Sequence, residues 1–290
     1  GSNHVADNNT IGGNDLTGLL AFSPQAGTTL INVDLLNNWV GLTRNEQAVP
    51  NGTAGIWVLG DVPGQGSVDT VTIQGNRVSK SLVNGIEINK ASNVTIGGSR
   101  NDDTKMNLIE GSLHYGLAIT RSNGTEVLGN RILNSTESGL YLHEVQNATI
   151  GNISADNALH IEGSSFGITA WGDLTGTMVV GNTIENNHDA GVCMVEAKNF
   201  TLFRNNISNN GPYGVLAFDD SSGTSIQGNY IEQSDAGVWL SGTSGITIGF
   251  DGNGFTGEPG VANKITDNYN VGIIVQGNTA ADNAILSNEI

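Results

Sequence analysis

Charged residues recur at one place in a repeating pattern. Lys90, Arg121, Glu144, Glu196 and Asp219 each stand five residues after a strand-opening glycine, with Asp173 and Asp220 one place further on. If the repeats stack as neighbouring strands, acids one repeat apart lie about 4.8 Å from each other and acids two repeats apart about 9.6 Å. Those separations bracket the carboxylate spacings of retaining and inverting glycoside hydrolysis, so a pair drawn from Glu144, Glu196 and Asp219 could cleave a glycosidic bond. The same oxygens could hold Ca²⁺, which gathers its ligands from acids and carbonyls. Lys90 or Arg121 beside such an ion would suit a lyase. A solvated corner is the plainer reading, and Arg121 next to Glu144 also reads as a surface ion pair of small worth.

A second column is aromatic. In strands such as GIEIN and GLYLH, side chains alternate, so apolar residues share one face and the residues between them share the other. The outward positions are then Trp57, Glu87, Tyr141, His143, Thr169, Trp171, Cys193, Phe218 and Trp239. Flat rings stack on the apolar faces of sugars, and exposed aromatic clusters mark binding surfaces. Trp57, Tyr141, Trp171, Phe218 and Trp239 are therefore the expected carbohydrate contacts. The competing expectation is that insertions such as FDGNGFTGEPGVA fold back over these rings.

Two insertions are rich in oxygen donors. FDGNGFTGE sets Asp251, Asn253 and Glu258 among glycines, and SRNDDTK sets Asp102 beside Asp103. Calcium is the expected cofactor, with Asp251, Asn253 and Glu258 as its preferred ligands, although the full EF-hand spacing is absent. An Asp/Asn/Gly turn explains the same residues without a metal. His114, His143, His160 and His188 show no metal-ligand spacing, and His143 reads as polar surface.

These residues are positioned by a repeat of about 23 residues, in which a glycine opens an apolar strand, a polar corner follows, and a second strand ends in Gly-Asn. The opening glycines are Gly18, Gly55, Gly85, Gly116, Gly139, Gly167, Gly191, Gly214, Gly237 and Gly272. A period of this size means a solenoid, whose units bury their apolar faces only by stacking on one another. Asn76, Asn130, Asn152, Asn182, Asn205, Asn229 and Asn288 end the second strand, with Ser99 and Asp251 at the matching place in two coils that carry insertions. Stacked asparagines can pass amide hydrogen bonds from coil to coil. Abundant glycine and scarce proline suit many tight corners.

Residues 1–290 read as one domain, because the repeat runs nearly end to end. A formal charge of −17, from 28 acidic and 11 basic residues, argues against nucleic acid and anionic membrane surfaces, which need basic patches. The single Cys193 excludes an internal disulfide framework and a cysteine-based zinc site. No membrane-inserting run is present. The initial Gly-Ser reads as an expression scar, and the chain starts and stops inside a repeat, so a longer parent chain with neighbouring domains is expected.

The coils resemble the right-handed parallel β-helix repeats of the pectin-lyase-like superfamily. The segment NWVGLTRNEQAVPNGTAGIWVLG, followed by SNVTIGGS, also resembles repeats of large secreted bacterial surface proteins. The resemblance implies an all-β fold, a right-handed single-stranded parallel β-helix of about ten coils. It also implies a site, where there is one, on the outer face of the sheet marked by the glycine-led strand. It leaves activity open, since lyases, hydrolases, epimerases and non-catalytic adhesin segments share the fold. The Asp-Pro-His motif of β-helical alginate epimerases is absent, as is the Asn-Thr-Asp, Asp-Asp and Gly-His-Gly set of polygalacturonases. The leading expectation is a non-catalytic secreted or cell-surface module, bacterial, acting as a rigid spacer or an adhesive face for a polysaccharide or surface glycan. The alternative is a polysaccharide-active enzyme: a calcium-assisted lyase, a glycoside hydrolase or an epimerase.

Overall fold

A computed structural model describes residues 3–61, 63–99, 102, 104–250 and 261–290. Every strand in it pairs in parallel, in three sheets of eleven, ten and ten strands, each linking one coil to the next. We call these the first, second and third sheets. One coil passes through Tyr115–Thr120 in the third sheet, Glu126–Leu128 in the first and Arg131–Leu133 in the second, before Ser138–His143 opens the next coil. The chain is thus a parallel β-helix, with no α-helix and a single 3₁₀ turn, Ala155–Asn157, among the described residues.

Each expected glycine-led strand belongs to the third sheet, whose ten strands supply the expected count of coils. The coil itself differs from the two-strand expectation. A third, three-residue strand follows the corner asparagine, as in Arg131–Leu133, Thr183–Glu185 and Tyr230–Glu232. Each points a single isoleucine inward (Ile132, Ile184, Ile231), too short a run for alternation to register.

The core is a set of aliphatic columns. Leu117, Leu140, Ile168, Val192, Val215 and Val238 stack in register along the third sheet and are wholly buried. The opening glycines are required by this packing rather than by backbone freedom. A β-carbon on Gly139 would lie 2.3 Å from Ile161 Cγ2 and 2.9 Å from the Gly167 carbonyl oxygen, so only hydrogen fits beneath the second-sheet isoleucine.

The asparagine ladder is present with a changed membership. Nδ2 of Asn38 donates to Oδ1 of Asn76 at 3.0 Å, Asn76 to Asn107 at 3.0 Å and Asn107 to Asn130 at 2.8 Å. A second run links Asn182, Asn205, Asn229, Asn263 and Asn288 at 2.8–3.1 Å. Asn107 and Asn263 hold the places expected for Ser99 and Asp251, because each insertion precedes the corner asparagine instead of following it. Asn152 is outside the ladder; its Oδ1 accepts from the Ser154 N–H at 3.0 Å. Leu159, fully buried, takes the corner position in that coil and interrupts the chain of amides.

Candidate functional site

The outer face of the third sheet presents three columns. Register sets Tyr115, Ser138 and Phe166 in the first, Trp57, Glu87, Ala118, Tyr141 and Thr169 in the second, and Thr120, His143 and Trp171 in the third. The five expected sugar contacts therefore do not form one stripe. Trp57, Tyr141 and Trp239 lie in the second column, whereas Trp171 and Phe218 lie in the third. Cys193 faces outward by register yet is buried, and burial pushes its thiol up to about 12.

What the fold brings together is a local stack. Tyr115 and Tyr141 lie face to face, 4.4 Å apart and 5° from parallel. Tyr141 is 6.1 Å from His143, whose imidazole stacks on Trp171 at 4.9 Å and 25°. Trp171 is 42% exposed and its Nε1 donates to Glu196 Oε2 at 3.4 Å. The imidazole is therefore part of an aromatic platform rather than isolated polar surface. Tyr115 escaped the sequence reading because it precedes the glycine taken as the strand's start. A second aromatic contact, Tyr213 edge-on to Trp239 at 4.7 Å and 76°, lies further along the face.

The charged column follows at the strand ends. Lys90, Arg121, Glu144, Glu196 and Asp219 all adopt left-handed backbone, with φ of 53°, 50°, 52°, 50° and 58°. These are the corner residues between the third and first sheets, and several long polar side chains accept a conformation that ordinarily selects Gly or Asn. Arg121 Nε donates to Glu144 Oε2 at 2.8 Å, and Glu144 Oε1 stands 4.0 Å from His143 Nε2. Lys90 reaches only the Asp61 carbonyl, at 3.4 Å. Gly172 occupies the corner between Glu144 and Glu196, so these two glutamates are two coils apart. Asp219 stands exposed, and its neighbour Asp220 pairs with Lys198 at 2.7 Å. The fold joins Arg121 to Glu144 and leaves the other charged candidates spread along the corner.

Two depressions flank the stack. One, of about 410 Å³, is lined by Arg121, Ser122, Asn123, Glu144, Gln146 and Asp173. The other, of about 280 Å³ at the strand starts, is bordered by Tyr115, Glu137, Phe166, Thr169 and Asp189 among others. The hydrogen bond from Arg121 holds the Glu144 carboxyl below the usual range, and the Thr175 hydroxyl does the same for Asp173. Burial among the rings lowers the His143 imidazole and raises the Tyr141 phenol, and pushes Tyr115 up to about 12. At neutral pH the platform is uncharged and its rim is anionic. Of the expected calcium ligands, Asp251, Asn253 and Glu258 lie outside the described residues, as does Asp103; Asp102 accepts from Thr104 and pairs with Lys105 at 3.4 Å.

A sequence profile described as "Right handed beta helix region" matches residues 116–290. The chain belongs to the right-handed β-helix family. No curated protein sequence matches it. Among solved structures, the periplasmic alginate epimerase AlgG is similar over 89% of this chain and 69% of its own, at 12% identity and a TM-score of 0.50. A double mutant of that epimerase gives 0.52 at 12% identity, over 89% and 70%. Endopolygalacturonase I from Stereum purpureum is similar at 12% identity over 99% and 95%, with a TM-score of 0.44. At these identities the likeness is one of fold, a right-handed parallel β-helix. Among the described residues no helix is long and apolar enough to cross a membrane.

Proposed function

We propose that the outer face of the third sheet binds a polysaccharide, with Tyr115, Tyr141, His143 and Trp171 as the stacking platform. The single observation that carries this reading is the stack itself. It gathers four uncharged rings across three neighbouring coils, with the Trp171 indole the most open, flanked by polar depressions where acids and amides can take hydroxyl hydrogen bonds. Coils about 4.8 Å apart place successive platform residues within the length of one sugar unit, so a chain lying along the helix axis meets several rings. The rim of Glu137, Glu144, Asp173, Asp189 and Glu196 repels polyanions and favours a neutral glycan. In this reading the chain works outside the cytoplasm as a rigid glycan-binding module.

One observation favours an enzymatic second reading, in keeping with the epimerase and polygalacturonase that share the fold. His143 is held neutral on the platform next to Arg121 and Glu144, where an imidazole could take a proton from a bound sugar. Hydrolysis has less support. It needs a carboxyl kept protonated, whereas Glu144 and Asp173 are both pushed toward ionisation.

Retention on a panel of neutral and acidic polysaccharides tests the first reading, and solvent-deuterium incorporation or new unsaturated ends tests the second. Binding without turnover supports a module. Turnover lost in His143→Gln supports the enzyme. A wild-type chain that neither retains nor turns over any glycan would overturn both.

A further inference from the structure

On the outer face of the second sheet, away from the aromatic platform, His160 and Glu162 project from one strand and Glu185 from the next. Register places Glu162 beside Glu185 and His160 beside Thr183. His160 Nε2 lies 3.1 Å from Glu162 Oε2 and 3.5 Å from Glu185 Oε1, and one ligand atom from each residue falls within 4.8 Å of the others. The side chains are 16%, 31% and 29% exposed. We propose that His160, Glu162 and Glu185 bind a first-row divalent metal ion, zinc by preference, with water completing the shell.

The geometry points to an ion rather than to a simple ion pair. Nε2 is buried and makes no hydrogen bond, although two carboxylate oxygens stand close to it, so neither oxygen lies along its hydrogen-bonding direction. A tetrahedral ion held at about 2.0–2.2 Å from each ligand sets neighbouring ligand atoms roughly 3.3–3.6 Å apart and off one another's axes. The observed 3.1 and 3.5 Å from Nε2 are close to that spacing, and a ligand atom from each of the three residues lies within 4.8 Å of the others. An imidazole with two carboxylates suits zinc and its neighbours; calcium and magnesium prefer oxygen alone. Arg131, the in-register neighbour of His160 on its other side, lowers the affinity for any cation, so the site lies on the Glu185 side.

The position in the fold supplies a purpose. His160 immediately follows Leu159, the residue that interrupts the asparagine ladder. Leu159 has no side-chain amide to offer Asn130 or to pass on to Asn182, although Asn182 still reaches that coil through the Leu159 N–H and the Ile150 carbonyl. A metal shared by His160, Glu162 and Glu185 adds a second side-chain bridge from that coil to the next. Sequence spacing hides the site, because its third ligand comes from the neighbouring coil, 23 residues after Glu162.

The test uses the full chain, stripped with chelator and titrated with Zn²⁺, Co²⁺ and Ca²⁺. Expected are uptake of one zinc per chain, tetrahedral Co²⁺ absorption bands displaced by zinc but not by calcium, and a rise of several degrees in Tm with zinc that His160→Gln removes. Glu185→Gln should weaken zinc binding by roughly tenfold or more while folding normally, and His160→Gln should abolish the cobalt bands. Sub-stoichiometric zinc, an unchanged cobalt spectrum in His160→Gln, or a zinc-induced rise in Tm that His160→Gln leaves intact would each overturn the proposal. Loss of folding in one variant leaves the other variant and the wild-type spectrum to decide. Glycan retention, which rests on a different sheet, should not respond to zinc.

Discussion

The imidazole of His143 lies 4.9 Å from the indole of Trp171 on the adjacent strand, tilted 25° from parallel, so that a titratable ring is built into an aromatic surface. Burial among those rings keeps the imidazole neutral, while Glu144, one residue along the chain, is kept charged by Arg121. A neutral platform and an ionised rim thus arise from consecutive residues that point to a strand face and to a corner.

Trp171 is the most open ring of the stack, and Trp171→Ala should weaken glycan retention by about 1–2 kcal/mol, roughly tenfold in Kd. Its side chain fills no core position, so Tm should move little. Tyr213→Ala, away from the stack, is the control and should retain glycan normally. Affinity electrophoresis with unchanged melting curves checks both, and equal retention by Trp171→Ala would remove this ring from the binding face.

Stability should depend on pH through His143. Its folded pKa lies below the usual imidazole value of about 6.5, so within the window below that value the unfolded chain binds the extra proton. The contribution is complete above about pH 6.5 and is lost as pH falls toward the folded pKa. Glu144 acts with the same sign at lower pH, weakly, since it is half exposed and screened. His143→Gln should flatten the fall in Tm just below about pH 6.5; an unchanged slope would place the titration elsewhere.

The glycine columns made the third sheet legible, because each opening glycine precedes two inward residues in strict alternation, as in Gly139, Leu140 and Leu142. The second sheet was not, since strands such as Arg131–Leu133 bury one residue each and carry no measurable period. The platform was half legible. Tyr141 and Trp171 followed from alternation, but Tyr115 precedes its glycine, and the imidazole partner could be placed only by interstrand register. Insertions hid Asn107 and Asn263, because the sequence does not say on which side of an insertion the corner lies.

The ladder offers a contrast between two asparagines that look alike in sequence. Asn182 Oδ1 accepts from the buried Leu159 N–H at 2.9 Å, and its Nδ2 donates to the Ile150 carbonyl at 2.9 Å and to Asn205 Oδ1 at 3.1 Å. Asn182→Ala should cost about 1–3 kcal/mol by leaving those groups unmatched. Asn152 makes only a local turn contact, so Asn152→Ala should cost a few tenths. Denaturant midpoints with unchanged slopes would measure both, and similar losses at the two positions would mean that the ladder carries no special stability.

Calcium is a separate expectation from the zinc site. Asp251, Asn253 and Glu258 stand among glycines that let oxygen donors converge, and Ca²⁺ tolerates such loose shells where Mg²⁺ does not. Millimolar calcium should then raise Tm by several degrees over chelator, with magnesium doing less. Coincident curves would reject a structural calcium ion in this chain.

Gly139→Ala tests the packing that sets the whole register. The added methyl would meet Ile161 Cγ2 at 2.3 Å and the Gly167 carbonyl at 2.9 Å, and the carbonyl belongs to the next coil's backbone, which has no free rotamer to yield. Relief must come from parting two coils or displacing Ile161 from the core, and overpacking of this kind costs about 1–3 kcal/mol. Coupling Gly139→Ala with Ile161→Leu removes the β-branch methyl Cγ2 that the new β-carbon would meet. If the contact with Ile161 dominates, the double variant should recover part of the loss, whereas a clash mainly with the backbone of Gly167 would leave it uncorrected. A single variant as stable as wild type would mean that the coils slide apart freely, and that glycine opens these strands for some reason other than space.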